Sequence, residues 1–261
     1  MNLKHPSFLR AGRKEDMTTH QSTITNRLLN SLAPADFALL KPNLEHREFP
    51  LKHDIERADQ PITYVVFPES AIASTVARNP EGKDVEVCLT GWEGMTGTTL
   101  VMGEDRTPLA TYIQVAGDGY VLPSHVLLAA LKTSGTLEKK LLRYIQTLII
   151  QAASTALING TANAETRLAR WLLMLHDRTA GSDLSITHEF LAVMLAMRRP
   201  WVTETLHVLE GKQLIRSSRG NVKVLDRAGL VVEAKGFYGM VEEEYERIMA
   251  QSDETSVCAP A

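Results

Sequence analysis

An α+β fold is predicted: a β-rich first half, one long central helix, and a helix–turn–helix followed by a two-stranded wing. Three observations predict it. Short β-prone runs punctuated by Gly, Asn and Pro occupy residues 62–122. Leu137, Leu141, Tyr144, Leu148, Gln151, Thr155 and Ile158 recur at alternating spacings of four and three, a heptad-like stripe. Residues 184–225 then read as two amphipathic helices around a tight turn, followed by a hairpin.

The elements follow in chain order. A short helix spans Asn26 to Leu32, and a second follows from Pro34. Strand-like runs cover Ile62–Phe67, Ala71–Val76, Val85–Leu89, Leu109–Val115 and Gly119–Leu122, as expected of a small barrel or sandwich. A short helix covers Pro123 to Leu131, and the long helix comes next. Beside its heptad-like stripe runs a second one of Leu142, Ile145, Ile149, Ala152 and Ala156. One face can cover the chain's own barrel and the other can meet a second copy. The residues assigned to the dimer interface are Leu137, Leu141, Tyr144, Leu148 and Thr155. Asn159-Gly160-Thr161-Ala162 breaks the helix, and Asn163 caps the next, with Leu168, Trp171, Leu172 and Leu175 on its core face.

Thr187 is the expected N-cap of the first helix of the pair, whose apolar face is Phe190, Leu191, Met194 and Leu195. Ala196 to Arg199 make the turn, where Ala196 is compatible with helical geometry. Pro200 suits the first turn of the second helix, since its missing N–H would be unpaired there. Val202, Leu206 and Leu209 face inward, Trp201 is assigned to the core, and Gly211 is expected to end the helix in the left-handed conformation. The wing runs around Ser217 to Asn221, and an acidic helix closes the chain from Gly239 to Ala250.

Charge is distributed unevenly. Residues 184–227 hold seven Lys/Arg and four Asp/Glu, a net of +3; residues 228–261 hold two and seven, a net of −5. Cations concentrated on one element are what phosphate neutralisation needs. The overall net of −3 hides this contrast. Two cysteines, Cys88 in a strand-like run and Cys258 in the tail, cannot form a disulfide framework. No apolar run reaches transmembrane length, and the first twenty-odd residues lack the apolar stretch of a secretory signal, so a disordered arm and a cytoplasmic location are expected. His46, His53 and His125 show no paired spacing, and no P-loop, nucleophile elbow or Cys-x-x-Cys occurs. Neither an enzyme nor a metal site is therefore predicted.

The stretches VVFPESAIAS, GWEGMTG, ETRLARWLLMLHDR and LSITHEFLAVMLAMRRPWVTETL, in this order of elements, resemble the catabolite-activator/fumarate-nitrate-regulator (Crp/Fnr) family of bacterial transcription factors. The resemblance covers roughly Thr25 to Arg227. Beyond the disordered arm, set at 1–22, it implies a cyclic-nucleotide-binding-like β-roll (a jelly-roll barrel) over 23–131 and a dimerisation helix over 132–160. A winged helix–turn–helix over 161–238 and an acidic helix and tail over 239–261 complete the layout. It further implies a homodimeric, sequence-specific transcription regulator that places a recognition helix, residues 200–210, in the major groove of double-stranded DNA. RNA polymerase and a small effector are the other partners implied. Arg199, Thr203 and Glu204 become the base-reading candidates, Arg199 through bidentate contact to guanine. Thr187, Arg198, Arg216 and Arg219 become the phosphate contacts. Glu93, Arg106 and Thr107 take the places of the family's effector pocket. The loop from Gly94 to Asp105 is longer than in the family's cyclic-AMP sensors, and Pro108 removes an amide. A cyclic nucleotide, another effector and no effector all stay open. The competing reading is an effector-binding protein whose winged domain meets a protein partner.

Overall fold

The computed structural model describes residues 20–251, so almost all of the expected N-terminal arm and the last ten residues, Cys258 among them, lie outside the described residues. The chain opens with α1 (Arg27–Asn30) and α2 (Pro34–Leu40), then runs through β1 (Glu45–Phe49), β2 (Asp54–Glu56), β3 (Tyr64–Pro68), β4 (Ile72–Arg78) and β5 (Asp84–Thr90). After α3 (Thr98–Val101) come β6 (Ala110–Val115), β7 (Gly117–Pro123), α4 (Ser124–Thr133), α5 (Gly135–Thr161) and α6 (Ala164–His176). The remainder is β8 (Asp183–Leu184), α7 (His188–Met194), α8 (Arg199–Gly211), β9 (Ile215–Ser218), β10 (Asn221–Val224), α9 (Arg227–Glu233) and α10 (Met240–Met249).

Strands β1 to β7 form two antiparallel sheets, β1-β7-β3 and β2-β6-β4-β5. Their inner faces meet over Phe49, Ile55, Val66, Ala73, Ile113 and Val121. The alternation of β3 and β7 sends the opposite set (Val65, Phe67, Leu122) into a second core shared with α1, α2, α4 and the first half of α5. The roll is thus a sandwich with helices against one face. β1 and β2 are additions to the sequence-based layout; both are edge strands, and charged residues such as Glu45, Glu48 and Asp54 occupy their exposed positions.

The long helix, α5, spans 27 residues, about 40 Å at 1.5 Å per residue. Ser134 caps it by accepting from the Leu137 amide at 3.1 Å. The predicted stripe faces the chain's own roll. Leu137, Leu141 and Tyr144 are fully buried in the second core, and Leu148 and Thr155 are half-buried. Leu137, Leu141 and Tyr144 therefore cannot supply a dimer interface, which corrects that part of the expectation, while Leu148 and Thr155 keep part of their surface. The face left open is Leu142, Gln146, Ile149, Ala153, Ala156 and Gly160, again at spacings of four and three. Leu142 is 44% exposed, Ile149 62% and neighbouring Leu157 56%. By length and composition α5 could cross a membrane, with a mean hydropathy of 1.3 over its best window. Its buried polar groups identify it as a core helix instead: the Gln151 amide accepts from the Leu89 N–H at 2.7 Å and donates to the Leu89 carbonyl at 3.2 Å.

Candidate nucleic-acid interface

The C-terminal module is built on α6. Asn163 caps α6 through the Thr166 amide, and the helix buries Leu168, Trp171, Leu172 and Leu175, as the periodicity required. Around it gather Leu191, Val202, Leu206, Leu209, Leu230 and Ala234 from α7, α8 and the α9 region. Thr187 caps α7, accepting from the Phe190 amide at 3.2 Å. Between α7 and α8 the chain turns at Ala196, whose φ is +49°. That is the left-handed region, so the helical geometry expected of Ala196 is corrected. A Cβ there costs about 1–2 kcal/mol relative to the right-handed region. Ala196→Gly is expected to stabilise the protein by roughly 0.5–1 kcal/mol, less than the full strain because glycine frees the unfolded chain. Urea unfolding of the two proteins checks this. At the other end of α8, Gly211 remains helical and Gln213 takes the positive φ of +59°, another departure from expectation.

The exposed side of this module carries the sequence-predicted residues. Arg198 is the N-cap of α8 and Arg199 its first residue, both exposed. Glu204 is exposed on the same helix, whereas Thr203 is half-buried and its hydroxyl donates to the Arg199 carbonyl at 3.3 Å, with His188 Nδ1 at 3.1 Å. Thr203 is therefore partly committed within the protein. Trp201 is not a core residue: it is 61% exposed, because Val202, Thr205, Leu206 and Leu209 already fill the inward positions. His207 and Val208 continue the exposed face. The helical spacing already puts His207 on the outer side; sequence reasoning missed Val208 and misplaced Trp201, although an i, i+3, i+7 count from Trp201 through Glu204 to Val208 finds the face.

The wing pairs β9 with β10, and β10 with β8. Gly220 supplies the positive φ at the hairpin tip, next to exposed Arg219. Arg216 lies directly opposite Lys223 in the register. Like charges opposite each other on an exposed strand pair are unfavourable unless an anion sits near them. Lys223 has a loose partner in Asp183 at 3.8 Å. Among the described residues Arg198, Arg199, Arg216 and Arg219 make no ion pair, so these four cations are open to phosphate.

The module is docked onto the roll. Phe190 of α7 lies between the Tyr112 ring, centroids 6.2 Å apart, and the Lys52 ammonium at 5.4 Å. Trp171 Nε1 donates to Glu86 Oε1 at 2.7 Å, and Ser74 donates to the other oxygen at 2.7 Å. Burial pushes the Glu86 carboxyl up to about 7, only partly opposed by these hydrogen bonds and by Arg178 and Arg170. The folded protein therefore holds a proton that the unfolded chain releases, and stability falls as pH rises from about 4.5 through 7. The loss is at most about 3 kcal/mol. Glu86→Gln is expected to flatten this slope in unfolding measured at pH 5 and pH 8. Cys88, half-buried on β5, is held as a thiol, its pKa raised to about 12 by burial.

The three expected effector residues are not brought together. Glu93 is buried and its Oε1 accepts from Arg178 Nε at 2.7 Å. Arg106 is exposed on a loop and pairs with its neighbour Asp105 at 2.8 Å. Thr107 is buried and bonds the Leu109 amide. The carboxylate that does reach into the roll is Glu56, which accepts from the Gly97 amide at 2.6 Å. On the outer surface, His46 Nε2 lies 2.9 Å from Asp118 Oδ2 and 4.0 Å from Glu69 Oε2. Glu69 is already occupied by the Thr25 and Asn26 amides, and Asp118 by Ser70.

Residues 166–232 match the profile of the Crp-like helix-turn-helix domain. No curated protein matches the chain in sequence. Solved structures show the same fold over most of the chain. A protein from Eubacterium rectale described as a transcriptional regulator of the Crp/Fnr family is 19% identical, with a TM-score of 0.64 over 81% of this chain and 99% of its own. FixK2 from Bradyrhizobium japonicum is 15% identical, with a TM-score of 0.62 over 72% and 96%. A CRP-family transcriptional regulator from Thermus thermophilus is 21% identical, with a TM-score of 0.59 over 73% and 97%.

Proposed function

From a Crp-like helix-turn-helix domain carried on the fold of the Crp/Fnr regulators, we propose that this chain is a sequence-specific, DNA-binding transcription regulator acting as a homodimer. The observation that carries the reading is the exposed, unpaired cation set on α8 and the wing (Arg198, Arg199, Arg216 and Arg219), beside a helix face with room for base contact. Arg199 reads guanine through a bidentate contact, and Glu204 accepts from a cytosine amino group. Trp201 lies against the sugar or a thymine methyl. Arg198, Arg216, Arg219 and the Thr187 hydroxyl hold phosphates and fix the register.

Two copies associate through the open face of α5, with Leu142, Ile149 and Leu157 as its apolar positions, so that two recognition helices meet successive major grooves. The protein works in the cytoplasm, and the acidic α10 is available to polymerase. Cyclic-nucleotide binding by Glu93, Arg106 and Thr107 is not part of the proposal, because the first is spent on Arg178 and the second faces solvent.

Arg199→Ala is expected to cost about 1–3 kcal/mol of specific binding and to relax preference at one base pair per half-site. Anisotropy titrations against operator variants measure both. Equal losses on every sequence would mean that Arg199 touches only phosphate. Raising salt from 50 to 200 mM tests the phosphate contacts, since a dimer neutralising six to ten phosphates loses about 10³ to 10⁵ in affinity. An affinity indifferent to salt would refute the DNA-binding reading.

A further inference from the structure

A cavity of about 240 Å³ lies where the roll, α5, the end of α6 and α10 meet. That is the liquid volume of about eight waters, enough for a small metabolite. α10, beyond the matched helix–turn–helix residues, forms one wall of this half-open pocket. α10 is fastened at several points: Arg27 makes a two-pronged pair with Glu246 at 2.8 Å, the Tyr245 hydroxyl donates to the Glu93 carbonyl at 2.7 Å, and Lys140 donates to the Met249 carbonyl at 2.9 Å.

The chemistry of the walls selects the ligand. Four carboxylates (Glu93, Asp177, Glu242, Glu246) stand against the guanidiniums of Arg27 and Arg178 and, just outside the wall, of Arg227, which pairs with Asp177 at 2.6 Å, a net of −1. The guanidiniums already hold carboxylates, Arg27 on Glu246 and Arg178 on Glu93. Gln151 is spent on the Leu89 backbone, and Thr147 on the Tyr144 carbonyl. What is left over is an acceptor: Glu93 Oε2 is buried with no hydrogen-bond partner, and Glu93 as a whole is 8% exposed. A buried carboxylate oxygen without a partner is costly, and a ligand N–H is what it lacks. Tyr144, Tyr238 and Tyr245 supply aromatic surface, and rings of this kind attract cations, as Arg27 over Tyr245 at 5.2 Å shows. An anion would meet a negative wall whose positive groups are committed.

We propose that this cavity is a binding site for a small organic cation, an amine or guanidine whose N–H groups donate to Glu93 Oε2 and whose body lies against the tyrosines. The bound molecule touches the roll through Glu93 and the C-terminal helix through Tyr245, while Glu93 in turn holds α6 through Arg178. Occupancy therefore fastens the winged module to the roll. The site stands without the DNA-binding reading, and calorimetry in the absence of DNA tests it alone.

The probes are putrescine, agmatine and benzamidine, with adenosine monophosphate and citrate as anionic comparisons, titrated into the full chain. At least one cationic probe is expected to bind saturably with one site per chain and to raise the melting temperature, and the anions are not. Glu93→Gln, nearly isosteric, should weaken that binding at least tenfold. Val241→Phe, which fills the cavity from α10, should abolish it while the melting transition and circular dichroism persist; it decides the matter if Glu93→Gln does not fold. Absence of binding at millimolar probe, preference for the anions, or unchanged affinity in a folded Val241→Phe or Glu93→Gln protein would each overturn the proposal.

Discussion

Ile149→Asp is expected to leave a folded monomer that no longer holds a two-fold operator. Ile149 is 62% exposed on the open face of α5, so the substitution removes nothing from the chain's own core. In a two-fold seam it would place one carboxylate near its symmetry mate in a dehydrated setting, where like charges cost several kcal/mol. Loss of dimerisation by a hundredfold or more follows at about 1.4 kcal/mol per tenfold. Sedimentation velocity reads the mass directly, and the melting temperature should stay close to that of the parent. The contrasting variant is Leu141→Asp. Leu141 is 1% exposed against the roll, and a charge there should unfold the protein rather than dissociate it. A dimer that survives Ile149→Asp unchanged would show that the open face of α5 is not the seam.

Gly94→Ala is expected to destabilise the roll severely. A Cβ at residue 94 would overlap the hydroxyl and ring of Tyr144. Tyr144 cannot move aside easily. It is 1% exposed, and its hydroxyl donates to the Met95 carbonyl at 3.2 Å. The Gly94 carbonyl in turn accepts from Asn26 Nδ2 at 2.8 Å, so shifting the backbone would break a buried contact. Overpacking of this kind costs about 1–3 kcal/mol, and the added loss of a buried hydrogen bond raises it to roughly 3–5. Urea unfolding measures the loss. Tyr144→Phe in the same chain should recover part of it, because the hydroxyl is one of the overlapping groups.

Much of the layout could be read from residues alone, for physical reasons that differ by element. α6 and the helix–turn–helix were legible because Asn163 and Thr187 are caps with clear side-chain acceptors and the apolar spacing behind them is regular. β1 and β2 were not, because each is an edge strand with charged positions facing water, which blurs the alternation that marks a half-buried strand. α5 shows the limit of periodicity: two stripes at the same spacing were visible, but only three-dimensional packing reveals that Leu137, Leu141 and Tyr144 belong to the roll. Ala196 could not be read either, since a left-handed φ at a non-glycine residue is imposed by the turn between α7 and α8.

The interface residues divide in the same way. The cations on α8 and the wing announced themselves by local charge, and the fold leaves Arg198, Arg199, Arg216 and Arg219 exposed. Trp201 was misjudged because a large aromatic side chain is usually buried, and here the inward positions were already taken by Val202 and Leu206. The partner of Glu93 is Arg178, 85 positions away, a distance in sequence that no local motif spans.

On the proposed function, the C-terminal module reads DNA as one half of a symmetric pair. Selection from random duplex DNA by the purified chain, at moderate salt, tests it most directly. Recovery of a two-fold motif with a guanine that loses its enrichment in Arg199→Ala is the predicted result. Failure to enrich any sequence, with or without a cationic ligand or a cell extract present, would contradict it.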